Sequence, residues 1–288
     1  MKLKILAFIV LTIFFAGCTQ KKQVAEKPII SVSILPQKYF TEKIVGNHFH
    51  INVLVPPGAS PASYEPTPKQ MVDLSNSLVY FKIGYIGFEL NWINSMGADF
   101  PEVKFIDTSE GIEFSESEET HGDHKHHRIE PHIWMSPKNA KVISANILKS
   151  ILEMDPKNAD LYNSNYNIFI NEIDSVNQII ENKLKNIGSK DFIIYHPALT
   201  YFAKDYGLNQ YALEIDGKEP SAKQMQELIN LAHEQNIKII FVQKQFNQGE
   251  AKTLEKEING KVVSIDPLDY NWDTQILRIT DILGEALK

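Results

Sequence analysis

The chain has 288 residues, 43% of them hydrophobic and 23% charged, with 29 Lys+Arg against 36 Asp+Glu and a formal net charge of −7. This composition can bury a sizeable core and excludes a collagen-like or wholly disordered chain. An acidic chain lacks the basic surface that replaces phosphate counterions, so we exclude nucleic acid as a partner. The length fits one large domain or two modest ones.

The first 17 residues are predicted to be an export signal. Lys2 and Lys4 precede an apolar run over 5–17, which falls short of the roughly 20 residues that a membrane-spanning helix needs. Small residues lead into Cys18, the only cysteine, which resembles the lipid-modified cysteine of bacterial lipoproteins. A chance cysteine behind an ordinary secretory signal is the alternative. We expect a lipid anchor on Cys18, a polar tether over 18–27 and a mature domain whose metal ligands are His, Asp or Glu.

Behind the tether, short apolar runs alternate with amphipathic segments, which predicts parallel sheets flanked by helices. In the first half, strands are predicted over 29–35, 51–55, 78–83 and 103–106, and helices over 37–45, 68–76 and 87–96. In the second half, strands are predicted over 191–195, 208–213, 237–242 and 261–265, and helices over 198–206, 221–235, 248–258 and 272–287. We therefore expect an α/β fold with two lobes, one over 28–136 and one over 189–288.

A long helix is predicted in the linking region, 137–188. Apolar residues recur there at spacings of three and four, the period of one helix face. They are Tyr162, Tyr166, Phe169, Ile173, Val176, Ile180, Leu184 and Ile187. About 28 residues extend roughly 42 Å as a helix, so we expect a rigid strut between the lobes. A coiled coil is the alternative, but the chain has no second segment of this length to pair with.

One hydrophilic segment, 115–130, contains four of the nine histidines. They are His121, His124, His126 and His127. The segment is otherwise rich in acidic residues and has almost no apolar surface to offset the entropy of ordering it. We therefore predict a disordered loop that binds metal ions weakly and adaptably. A merely hydrophilic loop without a metal role is the alternative.

Three other residues have positions that favour a common site. His196 and Asp266 each directly follow a predicted parallel strand, and ligands of open α/β sheets bind at such strand ends. His132 lies in the connection between the lobes, just before a helix that we expect to begin at Ser136-Pro137. A hydrogen-bonded histidine without a ligand, and an aspartate that only caps a turn, are the alternatives. Spacing alone does not choose between them.

Longer motifs carry more specific information. They are Tyr64-Glu65-Pro66-Thr67-Pro68, Pro131-His132-Ile133-Trp134-Met135-Ser136-Pro137, His196 with Tyr201-Phe202-Ala203 and Tyr206-Gly207-Leu208, Glu219-Pro220-Ser221, and Ile265-Asp266-Pro267-Leu268. Over nearly the whole mature chain these motifs resemble the solute-binding proteins of metal-uptake ABC transporters, in the zinc-uptake branch. The resemblance implies two α/β lobes joined by one long helix, with metal ligands at His132, His196 and Asp266. Manganese-binding members look to have Glu at the position of His196, so imidazole there implies Zn²⁺ rather than Mn²⁺.

The chain departs from that family pattern at Ala62. Members usually have a histidine at this position, two residues before Tyr64, and a methyl group cannot coordinate a metal ion. Two imidazoles and one carboxylate leave one position of a zinc ion open. Water, Glu65 or a histidine of the 115–130 segment could fill it. The departure would also suit a bulkier cargo, such as a metal chelate.

The resemblance implies a lipid-anchored, monomeric receptor in the cell envelope that passes Zn²⁺, or less readily Mn²⁺, to an ABC permease. A metal-dependent hydrolase is a rival class, because two histidines, a carboxylate and water also form catalytic zinc sites. The sequence gives it no support, since it has no His-Glu-x-x-His or Gly-x-Ser-x-Gly motif. An adhesin-like surface lipoprotein is the third class. We expect no enzymatic activity, and surface positions without a metal role for His48, His50 and His233.

Overall fold

A computed structural model describes residues 27–93, 99–121, 124–214 and 218–288, without the side chains of 116–128. The predicted export signal, Cys18 and nearly all of the predicted tether lie outside the described residues. Within the described part of the chain, no helix is long and apolar enough to cross a membrane. The lobe limits predicted at 28–136, 137–188 and 189–288 stay a prediction, whereas the architecture on which they rest is visible.

The first lobe contains a four-stranded parallel sheet in the order β2-β1-β3-β4. Its strands are β1 (Ile29–Val32), β2 (His50–Val53), β3 (Ser77–Lys82) and β4 (Lys104–Asp107). Its helices are α1 (Leu35–Val45) and α2 (Pro68–Ser75), followed by a π-helical turn over Glu89–Ile93. The central strand β1 is buried on both faces, as expected of a sheet covered by helices on both sides.

An antiparallel hairpin follows, made of β5 (Glu116–His121) and β6 (His124–Ile129). At its base the amide of Glu130 donates to the carbonyl oxygen of Ser115, with N and O 2.9 Å apart. The Tyr201 hydroxyl accepts from the Ser115 amide at 3.1 Å and donates to the Glu130 carbonyl at 2.7 Å. The second lobe thus holds both ends of the hairpin.

The prediction of a disordered loop over 115–130 is therefore wrong for the backbone. The composition indicated too little buried apolar surface to order the segment. The two strands instead order each other through backbone hydrogen bonds, and the fixed ends of the hairpin lower the entropic cost of closing its turn. The structure does not describe the side chains of His121, His124, His126 and His127. Their predicted metal binding stays a prediction.

Two helices connect the lobes, α3 (Pro137–Met154) and α4 (Ala159–Leu184), after a 3-10 turn over Ile133–Met135. The helix start predicted at Ser136 is confirmed, since its Oγ accepts from the amide of Asn139 at 3.1 Å. Helix α4 has 26 residues and packs against α1, α3 and the last helix of the chain. It buries the predicted stripe from Tyr162 to Leu184 except Tyr166, which is half-buried. Ile187, the last residue of that stripe, lies beyond the end of the helix.

The second lobe repeats the architecture with a parallel sheet in the order β10-β9-β7-β8. Its strands are β7 (Asp191–Ile194), β8 (Asn209–Ala212), β9 (Ile239–Gln243) and β10 (Lys261–Ile265). Its helices are α5 (Thr200–Tyr206), α6 (Ala222–Glu234), α7 (Gly249–Glu257) and α8 (Trp272–Ala286). The predicted α/β fold of two parallel sheets with a long helix between them is confirmed.

Candidate metal site

The structure brings His132 and His196 together, with their ring centroids 5.0 Å apart. His132 immediately precedes the 3-10 turn between the lobes, and His196 follows β7 by two residues. The pair therefore joins the connecting segment to the strand-end edge of the second sheet, as the sequence predicted. Both side chains are partly exposed, so an ion can reach them from solvent.

Buried tryptophans fix the segment that carries His132. The indole N–H of Trp134 donates to the carbonyl oxygen of Pro267 at 2.8 Å, and the indole N–H of Trp272 donates to the carbonyl oxygen of Trp134 at 2.6 Å. Because Pro267 directly follows Asp266, these bonds hold the His132 segment beside the end of β10. Both tryptophan side chains are almost completely buried.

A buried glutamine fixes the backbone of His196. The His196 amide donates to Oε1 of Gln243 at 3.3 Å, and Nε2 of Gln243 donates back to the His196 carbonyl at 2.5 Å. The ring of Phe246 stacks on the imidazole, with centroids 5.3 Å apart and planes 24° apart. Gln243, at the end of β9, thereby fixes the backbone of His196, and Phe246, in the segment that follows, packs against its imidazole.

Each imidazole is hydrogen-bonded through Nδ1 to a buried glutamate. His132 Nδ1 contacts Oε1 of Glu130, and His196 Nδ1 lies 3.2 Å from Oε2 of Glu214. A carboxylate at Nδ1 holds the ring proton there and leaves the Nε2 lone pair free for a metal ion. Burial raises the pKa of Glu130, but the charge and hydrogen bonds of His132 outweigh it and hold that pKa below its usual range.

Sequence reasoning missed both glutamates, although a signal for each was present. Glu130 stands directly before the Pro131-His132 motif, and Glu214 follows the strand predicted over 208–213, much as His196 follows its own strand. A carboxylate at the end of a parallel strand is as informative as an imidazole there, because parallel strands deliver both to one edge of the sheet.

Asp266 also lies at this edge, directly after β10, but its carboxylate is engaged elsewhere. Oδ1 accepts from the Leu268 amide at 3.1 Å and from Nε2 of Gln245 at 3.2 Å, and Oδ2 lies 3.3 Å from the ammonium of Lys244. Over the described residues, Asp266 forms no ion pair with either histidine, and no three His, Cys, Asp or Glu side chains are grouped to hold a metal ion. The structure thus brings together the two imidazoles of the predicted triad, whereas the carboxylate of Asp266 has other partners. The metal role of all three residues stays a prediction.

The segment containing position 62 has a defined place in the first lobe. The Phe88 amide donates to the carbonyl oxygen of Pro61 at 2.7 Å, and a Cβ on Gly87 would lie 2.5 Å from the carbonyl oxygen of Ala62. Only glycine allows this approach of two backbones. Ala62 itself is exposed, as is Glu65, which joins no metal-holding group among the described residues.

A further carboxylate, Glu89, is fully buried at the ends of β1 and β3. It accepts from the amides of Ile83 at 2.7 Å and Gly84 at 2.6 Å and from the hydroxyl of Ser33, which also contacts the hydroxyl of Tyr80. Burial raises the pKa of Glu89 to about 7, although these hydrogen bonds oppose the rise. No local pattern in the sequence indicates this network, because Ser33 lies 56 residues from Glu89.

The remaining histidines are placed as predicted. His48 and His50 are exposed, His50 at the start of the edge strand β2, and His233 is exposed on α6. Their lack of a metal role stays a prediction.

Two α/β lobes, a long connecting helix, and a pair of imidazoles, one from the connecting segment and one from a strand end, define a solute-binding protein of the metal-receptor type. Residues 30–275 match the family model described as ZnuA, zinc-uptake complex component A, periplasmic. This match spans most of the chain, which therefore belongs to that family. Members of the family are solute-binding components of transport systems.

Comparison with individual proteins agrees with this assignment. The chain is 30% identical over 256 residues to the high-affinity zinc uptake system protein ZnuA of Bacillus subtilis (strain 168), covering 85% of this chain and 79% of that protein. It is 26% identical to the zinc-binding lipoprotein AdcA of Streptococcus pneumoniae serotype 4, over 93% of this chain but only 55% of AdcA. The chain therefore spans about half the length of AdcA.

Solved structures show the same fold. A crystal structure of ZnuA superimposes with a TM-score of 0.85 at 35% identity, covering 91% of this chain and all of that one. The laminin-binding protein Lmb of Streptococcus agalactiae superimposes with a TM-score of 0.80, but at 22% identity. This second likeness concerns the fold alone and says nothing in favour of the adhesin alternative.

Proposed function

We propose that this protein captures Zn²⁺ at the outer face of a cell membrane and delivers it to an ABC permease. The observation that carries the proposal is the pair of imidazoles 5.0 Å apart, each held through Nδ1 by a buried carboxylate, in a chain of the zinc-uptake family. The names of its relatives, which are zinc-uptake and zinc-binding proteins, support zinc as the cargo.

In this proposal Nε2 of His132, Nε2 of His196 and a carboxylate oxygen of Asp266 bind the ion. Nitrogen ligands favour zinc over manganese, which prefers oxygen. The fourth position belongs to water, to Glu65 or to a histidine of the hairpin, because Ala62 offers none. The site then performs no chemistry, and the protein is not an enzyme.

Capture exchanges the water ligands of the ion for imidazole and carboxylate. The cleft closes by a small tilt, because α4 packs against helices of both lobes and resists a wide hinge motion. Affinity falls as the pH drops, since protons and zinc compete for the same imidazole lone pairs. A lipid on Cys18 keeps the monomeric receptor at the membrane, where the permease takes up the ion.

Titration calorimetry with Zn²⁺ and Mn²⁺ on metal-free mature protein tests the proposal. We expect tight zinc binding, weaker manganese binding and no ester or peptide hydrolysis. Zinc should raise the melting temperature of the wild type much more than that of His196→Ala, because ligands stabilise the state that binds them. Equal shifts would remove His196 from the site, and a wild type that binds no divalent ion would refute the receptor function.

A further inference from the structure

Lys244 and Asp266 occupy equivalent positions on neighbouring strands. Gln243 is in register with Ile265 at the ends of β9 and β10, and Lys244 and Asp266 are the residues that follow them. The Lys244 amide donates to the carbonyl oxygen of Ile265 at 3.1 Å, which extends the ladder by one more bond. The two side chains therefore leave the sheet edge side by side, and the ammonium lies 3.3 Å from Oδ2 of Asp266.

The two oxygens of Asp266 have different kinds of partner. Oδ1 accepts from the Leu268 amide and from the Gln245 carboxamide, which are neutral donors that can stay in place when a metal ion binds. Oδ2 is paired with the ammonium of Lys244. An ammonium and a zinc ion repel each other at such distances. Binding of zinc through Oδ2 therefore requires Lys244 to leave.

Burial shows which partner can move. The side chain of Lys244 is 58% exposed, whereas that of Asp266 is only 17% exposed. The ammonium can turn into solvent and regain water, while the carboxylate is held by its two hydrogen bonds. An ion pair of this exposure adds little to stability, so the fold does not need it.

We propose that Lys244 is an internal competitor for Zn²⁺ that neutralises Asp266 while the cleft is empty and must be displaced when the ion binds. This inference rests on the proposed function and deepens it by naming a residue that sets affinity and release. Displacement lowers affinity, and the return of the ammonium to Asp266 promotes departure of the ion toward the permease.

Zinc titrations of Lys244→Met and Lys244→Arg test the inference. Lys244→Met keeps the length of the side chain without its charge, and we expect zinc affinity to rise by about two- to five-fold, the range of an exposed ion pair. We expect Lys244→Arg to bind like the wild type. Lys223→Met is the matched control, because Lys223 is an exposed lysine on α6 that pairs with Glu227.

The mechanism requires the effect to pass through Asp266. In an Asp266→Asn background the carboxylate is gone, so Lys244→Met should no longer tighten binding. Stopped-flow transfer of zinc to a chelator should show slower release from Lys244→Met than from the wild type. Unchanged or weaker affinity of Lys244→Met would overturn the inference, as would tightening that also occurs in Asp266→Asn or in Lys223→Met. A wild type that binds no zinc would instead refute the proposed function.

Discussion

At the scale of single residues, the site depends on groups that never touch the ion. Glu130 and Glu214 are buried, and each uses its carboxylate to hold an imidazole with the Nε2 lone pair outward. Carboxylates in this position tune ligand basicity and orientation.

The glutamates are therefore expected to matter for zinc affinity. Glu214→Gln keeps the size of the side chain but removes its charge, and a carboxamide can present N–H instead of oxygen to Nδ1. We expect zinc affinity to fall by about 10- to 100-fold, the usual range for such partners. Titration calorimetry measures the loss, and ¹⁵N NMR of the imidazoles should show a mixed tautomer. Unchanged affinity with an unchanged tautomer would contradict the role.

A second residue-scale prediction concerns Glu89 and pH. Its pKa is about 7 in the folded protein, against 4.5 for an ordinary Glu. Between these values the folded chain holds a proton that the unfolded chain has released, so the free energy of unfolding falls as the pH rises. Glu89→Gln removes this titration. The free energy of unfolding of Glu89→Gln, relative to that of the wild type, should therefore rise from pH 4.5 to 7 by up to about 1.4 kcal/mol per pH unit.

Urea unfolding of both proteins at several pH values measures this difference. Glu110→Gln is the control, because it removes an exposed carboxylate of the same lobe. A constant difference between Glu89→Gln and the wild type would show that Glu89 does not titrate in this range.

At the scale of elements, the strands and helices could be predicted from the local pattern of apolar residues. The apolar runs predicted as strands form the two sheets, and the apolar residues spaced by three and four form the buried face of α4. Both are predictable because the pattern of buried residues along the sequence follows the period of the strand or helix. Contacts between distant residues leave no such record. Ser33 lies 56 residues from Glu89, so this pair could not be predicted before the sheet was assembled. The strand-end position of Glu214 was visible in the sequence, but its pairing with His196, 18 residues away, was not.

The hairpin is the element that composition described wrongly, and its role can be tested together with Ala62. A two-residue Asn-Gly turn in place of 117–128 keeps the pairing of Glu116 with Ile129 and removes the four histidines of the segment. Ala62→His should add a fourth protein ligand. If water now fills that position, we expect Ala62→His to tighten zinc binding by about tenfold or more, because the backbone there is already fixed.

Zinc titrations of the wild type, both single variants and the combined variant form a double-mutant cycle. If a hairpin histidine is the present fourth ligand, the turn replacement should weaken the wild type but barely affect Ala62→His. Additive effects would mean that the hairpin and position 62 do not share a coordination site. A loss of affinity in Ala62→His alone would place position 62 away from the ion.

At the scale of the whole molecule, the larger hydrophobic cluster of the described residues runs through both lobes. One continuous cluster of buried side chains includes Val32 and Phe81 of the first sheet, Phe169 of α4, and Phe192 and Phe241 of the second sheet. A smaller cluster fills the other face of the second sheet. Because α4 lies in the larger cluster, its helical backbone should be necessary for both lobes at once.

Ser175→Pro tests that dependence at an exposed position in the second half of α4. Proline removes a helix hydrogen bond and clashes with the preceding turn, which costs about 3 kcal/mol or more. Since the core is continuous, urea unfolding should shift as one transition, detected equally by tryptophan fluorescence and by circular dichroism. Ser175→Gly should shift it in the same way by only about 0.5 kcal/mol, and Ser175→Ala should not destabilise it. Two separated transitions in the proline or glycine variant would mean that each lobe keeps a core of its own and that α4 merely connects them.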